Sequence, residues 1–402
     1  MSAPASSAAS DAAAGKLRAA VPTILMGSFF VTSLIAPAAV FNKLLFLLML
    51  GRCALDLFLS DQGAMRETKA PFIVLLIFTY GYFLSWFNRS DSALALQFFL
   101  ASSLLLLFYY VRRYDIDVDR LVKMSGVAMM LATAAYLYSK LLRDYPLAAP
   151  LAAAFEKVSL SAMAERDYFE SAVLTLHIGT VPFLFAPFCL WAVEVAARPR
   201  VRTILLMLVA LACMVLSGSR GLLAVSVAFA AYVLVKRFSM VGRVLALIGV
   251  IAVIYIGIDF LLSRSQVLDV QEGSNAVKIG HARSFIDALT PNSALFGNGL
   301  ASFYFSSGSG VNTPHTEITP LDMARYFGIP LALLLYLTLL FPTLKMQSYL
   351  GQNAIYIIAF TLYLLLSATN PVLINSYGLL VVLWYWCKIV PQPPLTFRRV
   401  AG

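Results

Sequence analysis

A succession of long apolar runs, separated by short polar connections, is the feature that most constrains how this chain can fold. Hydrophobic residues make up 60% of the 402 residues and charged residues only 12%. So little charge cannot cover a soluble globule of this size with a wettable surface. Crossing a bilayer as a helix takes about 20 apolar residues. The pattern therefore predicts an all-α polytopic membrane protein with a single transmembrane domain at 20–402.

The apolar runs and their polar boundaries predict about 12 transmembrane helices. The stretch 1–19 is rich in Ala and Ser and is predicted to be a disordered cytoplasmic tail. The predicted helices lie near 20–40, 43–60, 71–87, 93–111, 121–139, 173–196, 203–217, 221–236, 240–263, 321–342, 353–371 and 375–391.

The basic residues predict the orientation of these helices. The net charge is +10, but Lys and Arg fall in alternate connections rather than in one patch, so we exclude nucleic acid as a partner. The positive-inside rule then places both termini in the cytoplasm and the loops 140–172 and 264–320 outside, in the periplasm of a bacterium. Part of the first loop is predicted to be an amphipathic helix. The sequence thus predicts a multi-pass protein of the bacterial inner membrane.

The four cysteines carry no signal of a metal or disulfide framework. All of them lie within apolar runs, where cysteine usually acts as a small buried hydrophobe. They are Cys53, Cys189, Cys213 and Cys387.

A short polar turn at 217–221, with the sequence Ser-Gly-Ser-Arg-Gly, separates two apolar runs. It is predicted to hold Arg220 at the membrane surface beside the free amides of a helix N-terminus, with Ser219 next to it. A fixed guanidinium and a helix N-terminus together form an anion site. The turn is equally compatible with a structural role, in which an interfacial arginine caps the preceding helix.

A second arginine lies in the large loop. Residues 278–289 are predicted to form a short helix that carries Arg283 and ends before Pro291, followed by a flexible stretch at 295–299. Arg220 and Arg283 are expected on the same side of the membrane. Two guanidiniums can hold a diphosphate without a metal.

His315 is the candidate base of this loop. It lies just before the chain re-enters the membrane, and Glu317, Asp322 and Arg325 follow within ten residues. Histidine can take a proton from a hydroxyl near neutral pH. A single histidine in a loop is usually only solvated, but two arginines and two acids accompany this one. Since no residues have metal-ligand spacing, the sequence predicts neither a metal nor a cofactor.

At these residues the chain resembles the superfamily of O-antigen polymerases and O-antigen ligases, integral-membrane glycosyltransferases of the Wzy and WaaL type. The resemblance rests on the turn at 217–221, on Arg283 followed by Leu-Phe-Gly-Asn-Gly at 295–299, and on His315 ahead of Tyr-Phe-Gly-Ile at 326–329. It covers roughly 200–340, and the remainder only by helix number and loop placement.

The resemblance implies a GT-C-like enzyme that transfers glycan from undecaprenyl diphosphate in the periplasmic leaflet. Arg220 and Arg283 would bind the diphosphate, and His315 would activate or orient the acceptor hydroxyl. Ser219, Glu317, Asp322 and Arg325 would support them. The expected partners are a lipid-linked glycan and membrane lipid, and the sequence leaves open whether a chain-length regulator also binds.

Four functions remain open on the sequence: a polymerase, a ligase, a transporter or flippase, and a scaffold for other envelope enzymes. A polymerase is favoured over a ligase that transfers glycan to lipid A-core, because Thr316 follows His315 where ligases tend to have asparagine, and because Gly328 lies later than the ligase pattern expects. A transporter or flippase is less compatible with the sequence, since inverted-repeat transporters show matching halves and we find no internal repeat.

Overall fold

Most of the chain folds into α-helices in the computed structural model. We describe residues 5–37, 39–59, 68–142, 145–158, 161–168, 171–236 and 273–391. Their helices are α1 (Ala5–Ile35), α2 (Val40–Leu59), α3 (Ala70–Phe87), α4 (Ser92–Ser102), α5 (Leu107–Arg113), α6 (Val118–Leu141), α7 (Ala148–Val158), α8 (Phe185–Ala197), α9 (Val201–Leu216), α10 (Arg220–Val235), α11 (Gly273–Ala288), α12 (Pro291–Phe296), α13 (Thr319–Phe327), α14 (Ile329–Leu340), α15 (Ala354–Ser367) and α16 (Ser376–Ile389).

The prediction of a mostly helical membrane protein is confirmed at this level. Among the described residues, three helical stretches are long and apolar enough to cross a membrane alone, namely α3, Ser92–Arg113 and α6. Seven other apolar helices are shorter, at 10–17 residues. The helix predicted at 240–263 lies outside the described residues.

Two short antiparallel hairpins accompany the helices in the part of the chain that the structure describes. Strands β1 (Ser161–Tyr168) and β2 (Ser171–Ile178) pair with each other, as do β3 (Tyr304–Ser306) and β4 (Val311–Thr313). The helix predicted at 173–196 is therefore wrong in its first part, where β2 runs, and α8 begins only at Phe185. The helix expected in the first loop is present as α7.

The N-terminal segment also differs from its prediction. Helix α1 begins at Ala5 and includes most of the stretch that composition predicts to be disordered. Alanine has the highest helix propensity of the amino acids, so an alanine-rich segment can extend the helix that follows it.

Helix α16 lies at the centre of the helix assembly. Its buried residues include the unbroken run from Gly378 to Trp386, and a helix that is buried on all sides belongs in the interior. The ring of Tyr385 stacks on that of Phe360 in α15, with centroids 4.2 Å apart. Aromatic packing of this kind fixes α15 against α16.

At one end of the assembly, segments that connect the helices form hydrogen bonds with each other or with a neighbouring helix end. Asp91 N–H, after α3, donates to the carbonyl of Ala301 in the large loop at 3.0 Å. The Thr180 hydroxyl, which precedes α8, donates to the carbonyl of Leu34 near the end of α1 at 2.8 Å. We call this the loop end.

The opposite end is basic, and we call it the lysine end. There the buried Arg112 guanidinium donates to the carbonyls of Cys387 and Val390 at the end of α16. Lys388 forms an ion pair with Asp119 at the start of α6. These contacts tie α5, α6 and α16 together. The charge bias of the sequence predicts that this end faces the cytoplasm, and these contacts do not test that prediction.

The large loop packs so closely on α3 that there is no space for a side chain at Gly299. Gly299 has a φ of +87°, and a Cβ atom there would lie 2.5 Å from the backbone nitrogen of Ser85. We expect Gly299→Ala to lower the free energy of unfolding by about 2–4 kcal/mol. The measurement is denaturant unfolding of the purified protein in one detergent.

Gly310→Ala is the matched control for this prediction. Gly310 has a φ of +70°, but a Cβ atom there meets nothing within 4 Å. Gly310→Ala should lower the free energy of unfolding only by the cost of placing alanine in the left-handed conformation, about 1 kcal/mol. Equal losses in the two variants would contradict the close contact between the loop and α3.

Candidate functional site

The turn at 217–221 joins two helices as the sequence predicts. Ser217 is the C-cap residue of α9, and Gly218 follows with a φ of +67°. The Ser219 hydroxyl then caps α10 by accepting Leu222 N–H at 3.4 Å. Arg220 is the first residue of α10 and its side chain is exposed. An exposed guanidinium thus lies at the positive end of a helix dipole, where an anion is favoured.

Helix α11 packs against the turn of the second hairpin through one face. Val277, Gly280, His281 and Ser284 follow the spacing of a single helical face. A Cβ atom on Gly280 would lie 2.4 Å from the Cα of Gly308, so the helix and the turn approach at the distance that glycines allow. The Ser284 hydroxyl also accepts a backbone N–H of the turn at 2.8 Å. The hairpin therefore fixes the position of α11.

His281 is a buried member of this interface that the sequence analysis did not select. The side chain is 4% exposed, and its Nδ1 lies 2.5 Å from the Ser306 hydroxyl and 3.5 Å from that of Tyr304. The Ser306 oxygen accepts Gly308 N–H at 3.2 Å, which leaves its proton available to Nδ1. This arrangement favours a neutral imidazole with its proton on Nε2. The helical spacing with Ser284 was the available sequence signal.

The electrostatic environment keeps both His281 and Tyr304 neutral. Burial lowers the pKa of His281; Asp322 and Glu317 oppose this effect, while His315 and Arg325 add to it. Burial raises the pKa of Tyr304 to about 12, against the opposing charge of Arg325. At neutral pH the phenol is protonated and the imidazole is uncharged.

Arg325 and Asp322 form a buried ion pair that holds the His315 loop. Their side chains are only 4% and 6% exposed, and Arg325 Nη2 donates to Asp322 Oδ1 at 3.0 Å. The same nitrogen donates to the Pro314 carbonyl at 2.8 Å, while Asp322 Oδ2 accepts Thr316 N–H at 2.7 Å. The pair thus holds the residue on each side of His315. The two residues act by positioning the loop, not by meeting a ligand at the surface.

The Arg325 guanidinium also joins this loop to the hairpin. It lies between the rings of Tyr304 and Tyr326, 4.5 Å and 4.7 Å from their centroids. It donates to Ser302 as well, and the Tyr326 hydroxyl donates to the Pro314 carbonyl at 2.6 Å. Cation–π contacts at a desolvated site are stabilising. A continuous network therefore connects His281, the hairpin and α13.

His315 itself points out of this network. Its side chain is exposed, while Thr313 Oγ1 donates to its carbonyl at 2.5 Å. Glu317 is 51% exposed and lies 3.9 Å from Lys278 Nζ in α11. The backbone of His315 is fixed and its imidazole remains accessible, as a base that meets a substrate requires.

The turn at 217–221 adjoins this loop through Asn370. A Cβ atom on Gly221 would lie 3.4 Å from Asn370 Nδ2, and the Thr319 hydroxyl at the start of α13 donates to the Asn370 carbonyl at 3.5 Å. The structure therefore brings the segments of Arg220 and His315 to the same end. That their side chains bind one ligand stays a prediction.

Arg283 is exposed on α11 but outside the face that contacts the hairpin. At 100° per residue it lies about 200° around the helix from His281. The helix is placed beside the His315 loop by Lys278 and His281, and Arg283 faces away from that contact. The charge of His315 acts on His281, on the face of α11 that contacts the hairpin.

No group of three or more His, Cys, Asp or Glu side chains in the described part of the chain could hold a metal ion. The polar groups gathered at the loop end are cations, hydroxyls, two histidines and two carboxylates, which form ion pairs with Arg325 and Lys278. Such groups bind anions and transfer protons.

The lowered pKa of His281 predicts a pH dependence of stability. Because the unfolded chain binds this proton more readily than the folded one, stability should fall as the pH drops below about 6.5. His281→Asn should flatten that dependence between pH 7.5 and 5, which thermal unfolding at each pH measures. Asn312→Ala, which removes an exposed uncharged side chain from the hairpin that contacts His281, is the control and should leave the slope unchanged. A slope in His281→Asn as steep as in the original protein would contradict the assignment.

No protein-family model and no curated protein sequence matches this chain. The fold and the candidate site define its class by themselves: a mainly helical membrane protein with an ordered polar loop assembly at one end.

Proposed function

We propose that this protein is a glycosyltransferase that polymerises oligosaccharide repeat units carried on undecaprenyl diphosphate. The proposal places it in the bacterial inner membrane, with the loop end in the periplasm. The repeat unit on the non-reducing end of one lipid-linked glycan would be the acceptor for the next glycan. The family resemblance of residues 200–340 and the chemistry of the loop end support this function.

The main support is the presentation of His315. A buried Arg325–Asp322 pair fixes the residues on both sides of this exposed imidazole. Holding both neighbours of an exposed side chain is useful when that side chain must meet a reacting group with a defined geometry. The exposed Arg220, at the start of α10, lies at the same end of the protein.

The proposed reaction needs one base and a fixed positive charge. The acceptor hydroxyl attacks the anomeric carbon and gives its proton to the His315 imidazole. The bond from that carbon to the diphosphate oxygen breaks, and its electron pair leaves with the diphosphate. Arg220 stabilises the departing charge. Direct displacement inverts the anomeric configuration.

The experiment is a reconstitution with the purified full chain, a synthetic undecaprenyl-diphosphate-linked repeat, and a chelator in place of divalent metal. Products are separated on a gel with lipid A-core present or absent. A ladder without lipid A-core is the expected result. Transfer only when lipid A-core is present would identify a ligase, and unchanged donor in both arms would contradict glycosyl transfer.

Two variants make this reconstitution specific to the proposed base. His315→Ala should abolish the ladder. Asn312→Ala removes another exposed polar side chain from the same loop and should retain the ladder. Loss of product in both variants would point to disruption of the loop rather than to the imidazole.

A further inference from the structure

A cavity of about 1040 Å³ opens at the lysine end, away from the loops described above. Its wall is formed by the ends of α8, α10 and α16, the start of α15, and the connection that precedes α15. Lys236, Lys345 and Lys388 all line it. They come from three separate parts of the chain, and the fold brings them to one place.

The charge of this cavity is positive. None of the described residues that line it is Asp or Glu. Lys388 is paired with Asp119, which lies outside the lining, and its ammonium is 4.9 Å from the centroid of the Tyr356 ring. Lys345 is exposed. Three ammonium groups around one concave space attract an anion more strongly than the same groups on a flat surface.

Neutral polar groups of the wall suit an oxygen-rich ligand. Ser348 lines the cavity and is 5% exposed, and its Oγ has no hydrogen-bond partner among the described residues. Asn353, also in the lining, donates to the Ser348 carbonyl at 3.0 Å. A buried hydroxyl without a partner is unfavourable, and a small rearrangement toward a bound phosphate oxygen would satisfy it.

The lining also includes apolar side chains, among them Val193, Ile355 and Ile389. Lysines beside apolar side chains, at the end of a membrane helix assembly, match the two parts of a phospholipid: an anionic head group and the start of its acyl chains. We propose that this cavity binds a phosphate-bearing anion, presented by an anionic phospholipid of the adjoining leaflet. Lys236 and Lys345 bind the phosphate, and Lys388 completes the positive field.

Cys387 gives a local measurement of this site. It lines the cavity and is half-buried, whereas Cys53, Cys189 and Cys213 are buried. The purified full chain is placed in phosphatidylcholine nanodiscs, and the rate at which an anionic methanethiosulfonate reagent modifies Cys387 is compared with that of a cationic one. A positive cavity should favour the anionic reagent by about tenfold. Equal rates would overturn the proposal.

Ligand binding is read as protection of the same thiol. Phosphatidylglycerol added to the nanodiscs should slow the anionic reagent. Inorganic phosphate is added in a separate arm. Protection by the lipid with little protection by inorganic phosphate supports a head-group site. If inorganic phosphate protects the thiol as well as the lipid does, the cavity binds phosphate, but its ligand comes from the solution and not from the bilayer. No protection in either arm would overturn the proposal.

The variant Lys236→Gln/Lys345→Gln tests the two lysines while leaving the Lys388–Asp119 pair intact. It should remove the preference for the anionic reagent and weaken lipid protection by about twentyfold. Lys43→Gln/Lys140→Gln is the matched control. It also removes two positive charges, but from the start of α2 and the end of α6, away from the lysine end. Unchanged protection in the first variant, or an equal loss in the control, would overturn the assignment.

Discussion

Replacing Arg220 with alanine should lower the rate of polymer formation by about 10²–10³-fold, because it removes a fixed charge that stabilises the departing diphosphate. Arg220 is exposed at the first position of α10, so the variant should fold normally. The measurement is the initial rate of chain extension in the reconstituted system, with the thermal unfolding midpoint recorded for each variant.

Arg202→Ala is the matched control for this result. Arg202 is also exposed and lies in the first turn of α9, at the opposite end of the same helix pair. It should extend chains at the original rate. If Arg220→Ala remains within twofold of the original rate, the guanidinium does not stabilise the departing diphosphate.

Replacing Asp322 with asparagine should cost about 3–5 kcal/mol of stability, because it leaves the Arg325 guanidinium buried without a counter-charge. The two side chains are 6% and 4% exposed, so solvent cannot compensate. Chain extension should also fail, since Asp322 and Arg325 hold the neighbours of His315. Denaturant unfolding in mixed micelles measures the first effect, and the reconstituted reaction measures the second.

Two further variants separate the buried charge from a general effect of mutation. Glu317→Gln removes a half-exposed carboxylate 3.9 Å from Lys278 and should cost less than about 1 kcal/mol. Asp322→Asn/Arg325→Met removes both charges and should be more stable than Asp322→Asn alone. If Asp322→Asn lost no more stability than Glu317→Gln, the pair would not be buried in the native state.

The helices of this protein are largely predictable from its sequence, because each apolar run ends at charges or at a polar turn. One exception, at 171–178, has a physical explanation. Its apolar residues merge with the next run, and a short apolar stretch does not distinguish strand from helix. The partner strand β1 decides the matter, and pairing with a charged segment at 161–168 is a tertiary event.

The exposed residues of the candidate site could be selected from the sequence, but the residues that position them could not. Arg220, Arg283 and His315 are notable as polar residues next to apolar runs. The role of Arg325 depends on Ser302, Tyr304 and Pro314, which reach it only when the loop folds. The stretch at 295–299, predicted to be flexible, is likewise ordered by hydrogen bonds to α3 and α13, for example from Gly299 N–H to the Tyr326 carbonyl at 3.0 Å.

The contacts that close both ends of the molecule join distant parts of the chain. The Tyr80 hydroxyl meets the Phe296 carbonyl across 216 residues, and Arg112 meets Val390 across 278. A ribosome releases α5 long before the end of α16 exists, so the contact between Arg112 and Val390 can form only after the chain has been made as far as Val390. Premature termination before α16 would therefore remove the Cys387 and Val390 carbonyls that accept from the Arg112 guanidinium at the lysine end.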